Sequence, residues 1–406
     1  MSVKPGEVQG NMQISEIQID GFRSLVKLTI DKFQNLNVFH GFNNSGKSNI
    51  LAFLELIFKR KLQELDVLYT LENGTRETRR EKRPVYFWKG NIENFSDNFF
   101  KDKADTISFS VSLTFLITEM NPPAHAFPAF FNKMLKKDSE NKILMDGNIK
   151  KINSNEALFL LSKVTLNKDV LLVIDPEERD YKFIPSLEKI ELSLKSEAVE
   201  KLLSQFNDAV KVISCHRFLS EEREADKKER IADVTLTPEK FKNWIFGLSL
   251  DREKYPIFQK IIDWFSTAPF KYGNISFARI GDHIEIMVEK EGLILPIKRL
   301  GSGVQQLLIL LSHIADCSSK IIGIEELELN LSPTLQTQLL NNLRSFINSP
   351  ESPVKQLFIT SHSERYYDIA AINKYFVDID NGMTKVEHWS EASKAKLIPG
   401  GGWDFD

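Results

Sequence analysis

Residues 41–50 read GFNNSGKSNI and follow the apolar run LNVFH at 36–40. Gly41, Gly46, Lys47 and Ser48 fill the pattern GxxxxGKS. Glycines in such a loop let backbone N–H groups turn inward on phosphate oxygens, and the N-terminus of the helix that follows favours their charge. The lysine reaches the outer phosphates and the hydroxyl is offered to Mg2+. Asn43, Asn44 and Ser45 complete the loop, and Asn49 follows it directly. The pattern carries weight only between a strand and a helix, and residues 49–58 supply apolar side chains at helical spacing. A turn that merely caps a helix is the plainer alternative, and this context disfavours it.

Upstream, Ile14, Ile17 and Ile19, then Leu25, Leu28 and Ile30, then Leu36, Val38 and Phe39 predict three short strands with turn residues between them. Downstream, residues 106–117 alternate as a strand does, and residues 189–195 do so less clearly. Pro122-Pro123 marks a break, after which residues 124–265 mix helical stretches with polar loops, without repeats or sustained heptads. That stretch is expected to form a mainly helical lobe. From residue 275 two or three strands lead into a helix at 304–315, then a strand at 321–324, a helix at 333–347 and a strand at 356–360. The segments KYFVDID and TKVEHW close the series as a strand pair. Strands alternating with helices predict an α/β fold with a mixed, mostly parallel sheet.

The chain has 406 residues, 42% hydrophobic and 27% charged, enough to bury a large core in one domain with an insertion, or in two domains. A formal net charge of -3 gives no whole-molecule attraction to nucleic acid, so DNA contact would need a local basic patch. Arg76, Arg79, Arg80, Lys82 and Arg83 offer one, although interleaved glutamates also suit a solvated loop. Cys215 and Cys317 are the only cysteines, which excludes a disulfide framework and a multi-cysteine zinc site and fits a reducing cytoplasm. The first residues hold no apolar signal-peptide core, and no run of roughly 18 uncharged apolar residues follows. A soluble cytoplasmic protein without membrane contact is expected.

Three further segments bear on chemistry. In RLGSGVQQLLILL at 299–311, Ser302 and Gly303 open a predicted helix whose N-terminus could meet a phosphate. A plain loop before a core helix fits those residues equally well. KIIGIEELELNLSPTLQ at 320–336 ends an apolar strand in the carboxylates Glu325 and Glu326. LFITSHSERYY at 357–367 sets His362 at the end of another strand. A guanine-reading NKxD tetrapeptide is missing, since NKDV at 167–170 has its aspartate one place early.

In this order the motifs resemble the ABC-type ATPase superfamily, in the branch that includes SMC, RecF and OLD-like proteins. The GSG segment is similar to the signature that meets a phosphate across a dimer. The carboxylate run is similar to the EEPE pattern of OLD-like ATPases: Glu325, Glu326, Glu328, Leu331, Pro333 and Gln336 match, while Leu327, Asn330 and Ser332 replace a proline and two histidines. IDGFRSL at 19–25 resembles the opening of this branch, with Phe22 and Arg23 near the nucleotide.

The resemblance implies ATP and Mg2+ as cofactors. Glu326 would polarise the attacking water, His362 would contact the γ-phosphate, and Lys47 would assist catalysis. Ser48 and Glu325 would hold the metal. Phe22, Arg23, Gly41, Asn43, Asn44, Ser45, Gly46, Lys47, Ser48, Asn49, Ser302 and Gly303 would bind nucleotide. The implied layout is a split head at 12–120 and 270–390, a mainly helical insertion at 121–269 and a tail at 391–406. Two departures stand out. No glutamine lies between Gln63 and Gln205, so an asparagine within KGNIENFSDNF is the candidate substitute for the usual Mg2+-sensing glutamine. The stretch after His362 is also too short for the Toprim nuclease of OLD proteins.

The implied role is that of a homodimeric or higher-order ATPase subunit, similar to those of Septu- and PARIS-type anti-phage systems, that controls a separately encoded nuclease or toxin-like effector. A RecF-like DNA repair ATPase and a non-hydrolysing nucleotide-binding scaffold are the alternatives, with direct DNA contact left open.

Overall fold

Two units divide the chain, one made of residues 1–34, 43–210 and 377–387, the other of residues 35–42, 211–376 and 388–406. The computed structural model describes residues 13–58, 62–70, 76–84, 87–91, 105–116, 136, 139–151, 156–167, 169–173, 210–214, 238–281, 283–315, 321–329, 331–349 and 352–397. In chain order the first elements are β1 (Gln13–Asp20), β2 (Leu28–Ile30), β3 (Leu36–Gly41), α1 (Lys47–Phe58), β4 (Leu62–Thr70), β5 (Arg76–Pro84) and β6 (Phe87–Asn91). Then come β7 (Thr106–Leu116), β8 (Glu140–Lys151), β9 (Glu156–Leu166), β10 (Asp169–Val173), β11 (Val210–Ser214), α2 (Pro238–Leu250) and α3 (Tyr255–Ser266). The remainder are β12 (Asn274–Ile280), β13 (His283–Lys290), β14 (Leu293–Pro296), α4 (Ser302–Ala315), β15 (Ile321–Glu325), α5 (Pro333–Ile347), β16 (Gln356–Ser361), β17 (Asn373–Asp380), β18 (Met383–His388) and α6 (Glu391–Leu397).

In the first unit a seven-stranded sheet has the order β10-β9-β8-β7-β1-β2, with β6 beside β9. Its pairings are antiparallel, as in Ile17 opposite both Ile30 and Val111. Ile107, Phe109, Val111 and Leu113 on β7 recur every second residue and are buried, which is the strand period that turns one face to the core. Helix α1 buries Ile50, Leu51, Phe53, Leu54, Ile57 and Phe58. Phe53 meets Phe22 at 5.3 Å and Phe109 at 6.0 Å, both edge-on.

In the second unit β15, β16 and β3 run parallel, with Glu325 opposite Thr360 and Thr360 opposite Phe39. β3 and β16 are buried at every position, as apolar parallel strands covered on both faces are. One face packs Val38, Ile324 and Ile359 into a cluster with Leu308 and Leu311 of α4, Leu340 and Leu343 of α5, and Ile261 and Phe265 of α3. On the other, Phe39 stacks with Phe358 at 6.2 Å and Tyr375 at 5.3 Å. Pro333 starts α5 at its first turn, and the Ser332 hydroxyl accepts the Leu335 N–H at 3.5 Å, the usual signals for a helix start. The full strand order of this sheet is β11-β15-β16-β3-β17-β18.

The α/β class stands, with the sheets mixed: three central strands are parallel and the seven-stranded sheet is antiparallel. In the stretch expected to be a mainly helical insertion, strands stand beside helices among the described residues. The described residues of 121–269 hold β8 to β11 as well as α2 and α3, and β8 pairs with β7 over residues 140–150 and with β9 over 143–151. Its Ile143, Met145 and Ile149 are buried at alternate positions, but lysines and Gly147 dilute the signal in the sequence. Strand pairing joins 140–166 to the sheet of β1 and β7. Within the expected tail, α6 occupies Glu391–Leu397.

The basic segment at 76–84 is strand β5 rather than a loop, and its register sets Arg80 opposite Asp66 and Lys82 opposite Glu64. The expected strand at 189–195, the break at Pro122-Pro123 and the asparagines at 94 and 98 lie outside the described residues. Among the described residues no helix is long and apolar enough to cross a membrane.

Candidate functional site

The chain passes from the second unit to the first between Phe42 and Asn43, within the glycine-rich loop. Asn44 at φ 61 and Gly46 at φ 97 take left-handed backbone on either side of Ser45. Alternating handedness of this kind turns successive N–H groups toward one point, an anion nest. The Gly46 carbonyl accepts the Asn49 N–H at 3.0 Å, which starts α1 with Lys47 as its first residue. Lys47 is 5% exposed and donates to Ser45 Oγ at 3.5 Å. A lysine works against the helix dipole at an N-terminus, and the first turn of α1 holds no acidic residue. The nest, the dipole and the lysine therefore add to one positive locus, which fits a phosphate chain. Ser48 is exposed beside it, where its hydroxyl can serve a metal ion.

Arg23 is brought to this loop by a tight turn in which Leu25 N–H bonds the Phe22 carbonyl at 2.7 Å, with Arg23 itself at φ 49. Its Nη1 donates to Asn49 Oδ1 at 3.1 Å. Phe22 does not share this role. It is 1% exposed and packed on Phe53, so the expectation that it binds nucleotide gives way to a core position. The aromatic in IDGFRSL is read from sequence as a site residue because it adjoins Arg23, but in the turn its ring packs inward on Phe53 while the Arg23 guanidinium lies over it, 5.1 Å from the ring centre.

In the second unit Gly41, Glu325 and His362 lie at or just past the carboxyl ends of β3, β15 and β16, the edge at which open parallel sheets bind ligands. Glu326 follows directly, at φ 52, an uncommon conformation for a residue with a side chain. Its N–H is held by the Thr360 carbonyl at 3.0 Å and by the Thr360 hydroxyl at 3.2 Å. Glu328 folds back over the same edge, and its carboxylate accepts the His362 N–H at 2.5 Å. Burial raises the Glu328 pKa, and the charge of Glu326 adds to that rise against hydrogen bonds from the His362 and Glu328 N–H groups and the Ser361 side chain. Ser363 ties the histidine loop to Gln336 of α5.

Ser302 and Gly303 form the first turn of α4. A Cβ on Gly303 would fall 2.7 Å from Leu331 Cδ2 and 2.9 Å from Leu335 Cδ1, so packing alone is a reason for glycine there. Four residues outside the expected set prove structurally central: Ser24, Thr360, Glu328 and Thr384. Glu328 is visible in the acidic run of the sequence. Thr384 carries no local signal, because only the fold returns β18 to the loop.

The family model described as AAA ATPase domain matches residues 12–366. No curated protein matches. Among solved structures the chain is similar to an SMC head bound to the C-winged helix domain of ScpA, at 14% identity and TM-score 0.46, covering 94% of this chain and 99% of that one. The SMC head domain from Thermotoga maritima aligns at 14% identity and TM-score 0.42, over 93% of this chain and 99% of that one. An SMC head from Pyrococcus furiosus with an extended coiled coil, bound to the C-terminal domain of ScpA, aligns at 11% identity and TM-score 0.44, over 95% and 98%. The family match spans most of the sequence and includes both the glycine-rich loop and the paired carboxylates: this chain belongs to the AAA ATPase domain family.

Proposed function

We propose that the chain binds and hydrolyses ATP as an ABC-type ATPase, pairs with a second copy around the nucleotide, and governs a separately encoded effector in anti-phage defence. The observation that carries the hydrolytic part is the parallel register of β15, β16 and β3, which aligns Glu325, Glu326 and His362 along the edge from which the glycine-rich loop departs. The loop amides and Lys47 bind the phosphates. Ser48 and Glu325 would hold Mg2+, which would offset phosphate charge. Glu326 accepts a proton from the attacking water, and the left-handed turn that Thr360 holds aims it. His362 senses the outer phosphate, and Ser302 and Gly303 supply the helix N-terminus that a second copy presents. The sequence resemblance to Septu- and PARIS-type ATPase subunits supports the role in defence.

The test is phosphate release by the purified chain with Mg-ATP, together with its mass in solution with and without ATP. Wild type is expected to turn over and to dimerise on ATP. Lys47→Ala should lose binding, and Glu326→Gln should bind without turnover. A wild-type chain that neither binds nor hydrolyses ATP overturns the reading. Loss of turnover in Glu325→Gln but not in Glu326→Gln reverses the two carboxylate roles. Co-expression with proteins from neighbouring genes, and stimulation by duplex DNA, separate effector control from DNA repair.

A further inference from the structure

Thr384, on β18, reaches the glycine-rich loop from the far end of the sequence. Its hydroxyl donates to the Ser45 carbonyl at 3.0 Å, and its N–H donates to the Ser24 carbonyl at 2.8 Å. Thr384 Oγ1 and Ser24 Oγ are 2.7 Å apart, and Asn49 Nδ2 donates to Ser24 Oγ at 2.8 Å. Arg23 Nη1 completes the series on Asn49 Oδ1 at 3.1 Å.

Donor chemistry fixes the direction of every bond. A carbonyl only accepts, so the single proton of the Thr384 hydroxyl lies toward Ser45. The bond between Ser24 and Thr384 must then use the Ser24 proton, which leaves Ser24 to accept from the Asn49 amide. Four hydrogen bonds thus point one way, from the Arg23 cation to the Ser45 carbonyl, and each polarises the next.

Packing supplies an independent observation. A Cβ on Gly46 would lie 2.0 Å from Thr384 Oγ1 and 2.8 Å from Ser24 Oγ. The two hydroxyls therefore occupy the space that a side chain at position 46 would need. The Ser45–Gly46 peptide is planar and trans, so its C=O and N–H point opposite ways. Holding the carbonyl on Thr384 turns the Gly46 N–H away from this brace.

We infer that Thr384, with Ser24, is a positioning residue for the glycine-rich loop: it locks the Ser45–Gly46 peptide so that the Gly46 N–H is presented to a phosphate oxygen before nucleotide arrives. The inference rests on the reading of residues 41–48 as a nucleotide site.

The experiment is titration of the full chain with a fluorescent ATP analogue and Mg2+, using wild type, Thr384→Val, Thr384→Ser and Ser24→Ala, with thermal melts of each. Thr384→Val is expected to weaken binding by about tenfold, the loss of roughly one well-placed hydrogen bond. Thr384→Ser keeps the hydroxyl and should restore affinity to within about threefold of wild type, which a purely steric role for the methyl group would not produce. In turnover, KM should rise more than kcat falls. Wild-type affinity in Thr384→Val, or failure of Thr384→Ser to restore it, overturns the inference. Should Thr384→Val not fold, Ser24→Ala decides: weakened binding at a wild-type melting temperature supports the brace, and unchanged binding rejects it. A wild type that does not bind the analogue refutes the nucleotide reading itself, and the first titration reveals this without any variant.

Discussion

Thr360 holds the backbone N–H of Glu326 twice, with its carbonyl oxygen at 3.0 Å and its hydroxyl at 3.2 Å. Glu326 sits at φ 52, where a residue with a Cβ is disfavoured by about 1–2 kcal/mol, so the turn needs outside support. Thr360→Val keeps the shape and the carbonyl bond and removes the hydroxyl bond. Turnover should fall by about fivefold, corresponding to ~1 kcal/mol, with ATP affinity retained. Steady-state phosphate release beside equilibrium binding makes the comparison.

The Glu328 carboxyl titrates above its ordinary value of 4.5 because burial penalises its charge. A raised folded-state pKa contributes stability that is complete below the unfolded value and is lost as pH rises through the folded value. Glu328→Gln keeps an oxygen for the His362 N–H and removes the buried charge. The variant should therefore gain melting temperature relative to wild type at pH 8, and the gain should shrink toward pH 4. Melting curves across that range would show a pH-independent difference if burial of the charge were unimportant.

Gly46→Ala brings a methyl group onto Thr384 Oγ1 and forces a side chain to φ 97. The expected cost is about 1–3 kcal/mol of stability, together with lost nucleotide affinity. Denaturant unfolding measures the first, and combining Gly46→Ala with Thr384→Ala should recover part of it by removing the hydroxyl that clashes.

Phe22 belongs to the core beside Phe53, so Phe22→Leu should lower stability by about 1–2 kcal/mol and leave ATP affinity unaltered. A weakened affinity without a change in melting temperature would return Phe22 to the nucleotide site.

Much of the site was legible because its chemistry is local. The strand, glycine-rich loop and helix at 36–58 are contiguous, and a run of apolar residues ending in Glu325-Glu326 announces a buried strand that delivers carboxylates to an edge. Helix α5 was readable to its ends because Ser332 and Pro333 mark its start. Strand β8 was not, since alternation broken by Gly147 and by lysines looks like any polar stretch.

The sequence by itself determined the glycine-rich loop between a strand and a helix, the carboxylate pair and the histidine at a strand end, because each depends on residues within one turn or one strand of each other, and the alternation of such segments set the α/β class. Only the tertiary structure decided what holds these groups in place. Arg23 is committed to Asn49, Glu326 is held in a left-handed turn by Thr360, Glu328 grips the histidine loop, and Thr384 occupies the space beside Gly46. Each of these contacts joins segments distant in the chain, where strand pairing and burial, rather than local pattern, set which side chains meet.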